Sequence, residues 1–218
     1  MSSERFRARN QAMAAHYSSL AKRHGDSPRA AQWRGARSQE RRYDILFGIG
    51  DLRHAKILDF GCGTGAMYAS LRRRFDYVGE YVGCDISEGM LKLARRKFPG
   101  VRFETIDIFA EPPPGTELET FDYVFVSGAF NNDHPQAYEF VLAAIPALFA
   151  RARLGFAFNA LSTYAGNRVI ELIYFDPLEL FDWIRGEVTP LVTLRHDYRI
   201  EGEDQPEDFT LYLRREEA

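Results

Sequence analysis

The residues of this chain best suited to chemistry gather around one loop. Ile57-Leu58-Asp59-Phe60-Gly61-Cys62-Gly63-Thr64-Gly65-Ala66 reads as an apolar strand running into a glycine-rich turn that opens a helix. Glycines at such a junction let the backbone approach a ligand closely. Gly61-x-Gly63-x-x-Ala66 satisfies the dinucleotide pattern G-x-G-x-x-[GA], and Asp85 stands about 20 residues further on, where a carboxylate accepts from ribose hydroxyls. Two ligand classes therefore compete for the loop, because both need the glycines and both use the acid.

The surrounding acids separate them. Asp59 lies two residues before Gly61, beside the helix N-terminus that a pyrophosphate would occupy, and two anions would compete for one place. Asp107 follows a third strand-like run, and ligands of open parallel sheets gather at the carboxyl ends of the strands. No Lys or Arg occurs from Ile57 to Ser70. Three acids without a nearby cation cradle phosphate poorly. They suit a ligand carrying an ammonium, a sulfonium, ribose hydroxyls and an adenine amine.

These residues need a scaffold, and the pattern predicts one. Short runs rich in Val, Ile, Phe and Tyr at 56–60, 81–85, 101–106, 121–127 and 153–159 read as strands; 66–75, 88–98 and 136–150 read as helices. That alternation predicts an α/β fold with helices on both faces of a parallel sheet. Residues 111–120, with three consecutive prolines, read as a stiff loop. After a helix near 177–185, runs at 191–200 and 209–214 joined by an acidic turn read as an antiparallel hairpin. Before residue 56 the pattern is helical, with Pro28 opening a second helical stretch towards Gly48.

Composition bounds the class. A chain of 218 residues, 45% hydrophobic and 27% charged, has the profile of one globular domain with an appended element, and excludes collagen-like and disordered classes. The longest apolar stretch, Phe140 to Ala150, is too short to span a membrane, so no membrane partner is expected. Two cysteines and no visible export signal predict reduced thiols and a cytoplasmic location; two Cys without paired His predict no metal site. The net charge of -3 conceals a split: 12 Lys+Arg against 5 Asp+Glu before Ile57, and 16 against 26 from there on. A basic front can grip nucleic acid, but alternation with Tyr43, Ile45, Leu46 and Phe47 reads as a solvated amphipathic helix.

The stretch ILDFGCGTG resembles the first motif of class I S-adenosylmethionine-dependent methyltransferases, and the resemblance extends through VGCDIS, FETIDI and FDYVFVSGAFN, roughly residues 57–159. It implies a Rossmann-like seven-stranded, mostly parallel sheet of order 3-2-1-4-5-7-6 ending in an antiparallel hairpin. It also implies an N-terminal helical lid over residues 1–55 and a cofactor domain over 56–218. Gly61, Gly63 and Gly65 would pass beneath the methionine part of S-adenosylmethionine, with Asp59 receiving its ammonium. Asp85 would accept from the ribose, Asp107 from the adenine amine, and Ile86 and Ile108 would flank the adenine. Ser127 would face the methyl group. Cys62, inside the loop, lines the ligand or fills space beneath it. Tyr17, His24, Arg29, Trp33 and Arg34 are the lid candidates, with Arg29 or Arg34 placed to pair with the cofactor carboxylate.

Phe130, Asn131, His134 and Tyr164 are the acceptor-side candidates, His134 as general base. The Asn/Asp-Pro-Pro-aromatic motif that resembling enzymes use on planar bases is missing here. The expected activity is methyl transfer to an oxygen or nitrogen of a small metabolite, leaving S-adenosylhomocysteine. Three alternatives stay open: an RNA or protein methyltransferase docking through the basic front, a nicotinamide-dependent oxidoreductase, and a catalytically silent cofactor-binding protein.

Overall fold

A computed structural model describes residues 3–32, 35–109, 118–200, 202 and 207–216. Its strands are β1 (Ile57–Phe60), β2 (Tyr81–Cys84), β3 (Arg102–Glu104), β4 (Phe121–Val126), β5 (Ala152–Leu161), β6 (Val192–Arg195) and β7 (Asp208–Arg214). They form one sheet of order β3-β2-β1-β4-β5-β7-β6. The first five are parallel, and β7 runs antiparallel to both its neighbours, β5 and β6. The helices are α1 (Arg7–His24), α2 (Ala36–Leu46), α3 (Ala66–Phe75), α4 (Glu88–Lys97), α5 (Ala137–Phe149) and α6 (Pro177–Glu187).

Successive residues of a strand point to opposite faces, and in β4 both faces are apolar. Val124 and Val126 enter one core with Phe140 of α5 and Leu180 and Ile184 of α6; Tyr123 and Phe125 enter the other with Leu46 of α2, Leu71 of α3 and Leu91 of α4. A sheet covered on both sides reads as a continuous hydrophobic run, which is why β4 shows little polar alternation. Two helix starts are secured by side chains: Ser87 Oγ accepts from Met90 N at 3.2 Å, and Asp176 accepts from the Leu178 and Glu179 amides.

The front segment differs from its sequence pattern. The single stretch expected from Pro28 to Gly48 is a 3-10 turn (Pro28–Ala31), then α2, then a second 3-10 turn (Phe47–Ile49). Gln32 adopts a left-handed conformation (φ 60°) that ends the first turn, and α2 starts afresh after an extended Gly35. α2 buries Tyr43 and Leu46 in the sheet core, while α1 lies across the strand ends and contacts α4. Residues 110–117, most of the expected proline loop, and 201 and 203–206 of the acidic turn lie outside the described residues.

Candidate active site

The carboxyl ends of the parallel strands, roofed by α1, enclose a cavity of about 490 Å³. Its floor is the turn after β1. Gly61 has φ 78°, and a Cβ there would stand 2.5 Å from the Ala129 Cβ, so conformation and space both require glycine. Gly63 sends its N–H to Asp85 Oδ2 at 2.9 Å, while Ser87 N–H reaches Asp85 Oδ1 at 2.8 Å. Burial pushes the Asp85 carboxyl up, and these backbone donors oppose the shift. Each of its oxygens keeps a lone pair for a ligand donor.

Asp59 is 2% exposed and accepts from Tyr81 Oη at 2.5 Å. Burial pushes its pKa up to about 7; the Tyr81 hydrogen bond resists, and the neighbouring Asp85 charge adds to the rise. Asp107 lines the cavity as an exposed residue, its Oδ1 accepting from Phe109 N at 2.9 Å. At the end of β4, Asn159 of β5 accepts from Gly128 N at 2.9 Å and its amide reaches Ser127 Oγ at 3.5 Å. This buried amide fixes the turn carrying Ser127 into the cavity.

The roof is anchored at both ends. Phe6 is fully buried, its ring 5.3 Å from those of Phe109 and Phe140, and Ser18 Oγ lies 2.9 Å from Ser87 Oγ. Between them Asn132 Nδ2 donates to Tyr17 Oη, whose pKa burial raises to about 12. Arg9, Asn10, Met13 and Tyr17 line the cavity from above.

The sequence-derived candidates divide in this geometry. Tyr17, Asp59, Gly61, Cys62, Gly63, Asp85, Ile86, Asp107, Ile108, Ser127 and Asn131 all line the one cavity. Cys62 is buried there, and burial holds its thiol well above the usual range. Gly65 faces away: it caps α3, and a Cβ would press on the rings of Phe98 and Phe103. Phe130 is core, packed on Phe158. His134 stands off the wall, its buried Nε2 without a hydrogen-bond partner, and Tyr164 is 54% exposed beside His196. His24 and Arg29 do not line the cavity. Arg34 and Trp33 lie outside the described residues.

Tyr81 and, on the underside of α1, Arg9, Asn10 and Met13 were not among the candidates. Asp59 pairs with Gly83 in register, so Tyr81, two residues from Gly83, shares that face; strand parity carries the signal. The spacing of Arg9, Asn10, Met13 and Tyr17 marks one helical face.

A family model described as a methyltransferase domain matches residues 57–149. A Mycobacterium tuberculosis protein named as a methyltransferase, Rv1506c, is 31% identical over 165 residues, covering 73% of this chain and 92% of that protein. The chain belongs to the class I S-adenosylmethionine-dependent methyltransferases, and is an enzyme of that family. Magnesium protoporphyrin IX methyltransferase from Synechocystis PCC 6803, solved with S-adenosylmethionine, shares the fold at TM-score 0.60 and 17% identity, over 82% of this chain and 80% of that one. A complex of DhpI with S-adenosylhomocysteine shares it at TM-score 0.59 and 14% identity, over 93% and 95%. Trans-aconitate 2-methyltransferase of Methylobacterium nodulans is 39% identical, but over only 33% of this chain and 28% of that protein.

Proposed function

We propose that this enzyme methylates an oxygen or nitrogen of a small metabolite held in the roofed cavity beside the cofactor. The observation that carries the reading is the rim of Asp59, Asp85 and Asp107 at the ends of three successive strands, all lining one cavity with the glycine turn. That donor-seeking set fits S-adenosylmethionine. Asp59 takes the ammonium, Asp85 the ribose hydroxyls and Asp107 the adenine amine, with Ile86 and Ile108 against the ring. Ser127 and Asn131 border the methyl group. α1 is the lid over the cofactor and the acceptor.

The bound cofactor supplies a methyl group on a cationic sulfur. An acceptor lone pair forms the new bond to that carbon as the C–S bond breaks, and the bonding electrons return to sulfur. A hydroxyl or amine acceptor then loses its proton to solvent. His134 does not line the cavity, so it is not placed as the base; alignment and exclusion of water contribute to the acceleration. The basic front has internal uses: Arg42 turns inward to Asp208, and Arg9 faces the cavity. Those contacts favour the small acceptor over a macromolecular one.

Calorimetric titration tests the cofactor site: S-adenosylhomocysteine is expected to bind and NAD to give no signal, and the reverse result overturns the reading. Mass spectrometry of a metabolite library for one-methyl gains tests the acceptor class.

The buried Asp59 adds a pH signature. In the free protein its raised pKa favours the neutral carboxyl, whose stabilising contribution is full at low pH and fades as pH rises through about 7. A bound ammonium favours the ionised form instead. Affinity for S-adenosylhomocysteine is therefore expected to fall by up to about tenfold per pH unit below pH 7. Asp59→Asn should flatten that profile; an unchanged slope would place the ammonium elsewhere.

A further inference from the structure

We infer that the methyl acceptor is a small hydroxy- or amino-carboxylic acid, its carboxylate held by Arg9 of α1 and its nucleophilic hydroxyl or amine by Asn131. This rests on the cavity being the methyl-transfer site proposed above, and names what shares it with the cofactor.

Arg9 lies on the cavity side of α1, with its guanidinium 3.5 Å from the ring centroid of Phe140. Its Nη1 donates to Asn10 at 3.0 Å, but its Nε is buried with no hydrogen-bond partner. Among the described residues no carboxylate is paired with it; burial lowers its pKa to about 10, and the neighbouring Tyr17 acts against this. A cation withdrawn from water without a counter-ion is costly, and an anion in the cavity would complete it.

Asn131 supplies the complementary deficit. It is 8% exposed, lines the same cavity, and its Oδ1 is buried without a donor. Its N–H is tied to Gly128 O at 3.2 Å, which fixes the residue against the turn that carries Ser127. The cavity wall thus holds a cation with no carboxylate paired to it among the described residues and a side-chain acceptor without a donor. A carboxylate and a hydroxyl or amine on one molecule satisfy both. Phe140, Leu172 and Tyr174 provide apolar surface for its carbon frame.

The cofactor's own carboxylate does not answer this demand. It shares a carbon with the ammonium, so an ammonium at Asp59 puts it beside the glycine turn. Arg9, on α1, packs instead against Phe140 of α5, close to Tyr17 and His134.

The test is methyl transfer from radiolabelled S-adenosylmethionine to a panel of small hydroxy- and amino-carboxylic acids, each paired with its primary amide. Wild type, Arg9→Gln and Arg9→Lys are compared, and S-adenosylhomocysteine affinity is measured on all three by calorimetry. At least one acid should be accepted, with its amide about 100-fold poorer in kcat/KM. Arg9→Gln should lose about 100-fold on that acid, mainly in KM, with part restored in Arg9→Lys. Affinity for S-adenosylhomocysteine should stay within about threefold, which also shows that the variants fold. Acids and amides accepted alike, no acid accepted, or full activity in Arg9→Gln would each overturn the inference. So would a loss of tenfold or more in S-adenosylhomocysteine affinity, by assigning Arg9 to the cofactor. A wild type that binds no S-adenosylhomocysteine defeats the underlying reading instead.

Discussion

Asp85→Ala is expected to weaken S-adenosylhomocysteine binding by about 100-fold or more, equivalent to about 3 kcal/mol. Two losses coincide. The ribose loses a charged acceptor held at the end of β2, and the Gly63 and Ser87 amides lose the oxygens that position the turn. Hydrogen bonds to a charged group are worth about 1.5–3 kcal/mol each, and stranded buried donors cost a similar amount. Asp85→Asn should rescue little, because its amide nitrogen would face a backbone N–H with another donor. Calorimetry on both variants measures the effect, and thermal unfolding without ligand measures the share that belongs to the turn. Wild-type affinity in Asp85→Ala would remove Asp85 from the cofactor site.

The second large effect concerns stability. Arg42 Nε and Nη2 donate to the two carboxylate oxygens of Asp208 at 2.9 and 2.5 Å, with side chains 8% and 0% exposed. Arg42 also donates to Ser38 O at 3.1 Å and to its hydroxyl. This bidentate pair ties α2 to the start of β7 on the face of the sheet that α2 covers. Removing one partner leaves a buried charge, so Asp208→Leu or Arg42→Met alone should cost about 3–5 kcal/mol in urea unfolding. The double variant should recover most of that loss, because an apolar pair of similar volume strands no charge. Equal losses in single and double variants would show that packing, and not the ion pair, holds α2 in place.

Much of this architecture could be read from residue order alone. Ile57-Leu58-Asp59 followed by three glycines specifies strand, turn and helix, and Asp85 falls where the next parallel strand must end. The five parallel strands follow because each apolar run is too short for a helix and is flanked by a helical pattern. What could not be read depends on separation along the chain. Arg42 and Asp208 are 166 positions apart, and nothing near either names the other. The break of the second front helix rests on one left-handed residue, Gln32, a type that also occurs within helices. His134 stands in a turn whose composition fits a base, yet its distance from the cavity is set by how α5 packs. Arg9 looked like one more cation of a basic front, and only the docking of α1 turns it inward.

The position of β7 has a consequence for how the molecule assembles. β6 precedes β7 in the chain but, among the described residues, is hydrogen-bonded to no other strand. Until residues 208–214 insert, β6 has no pairing partner, and β5 presents an open edge bearing Phe156 and Phe158. Such an edge is a template for wrong pairing between chains. The Arg42–Asp208 contact can form only once β7 is seated, so completing the sheet and securing α2 are coupled. Variants that loosen β7 should therefore expose this edge and promote aggregation, while the glycine turn keeps its own hydrogen bonds to Cys84 of β2.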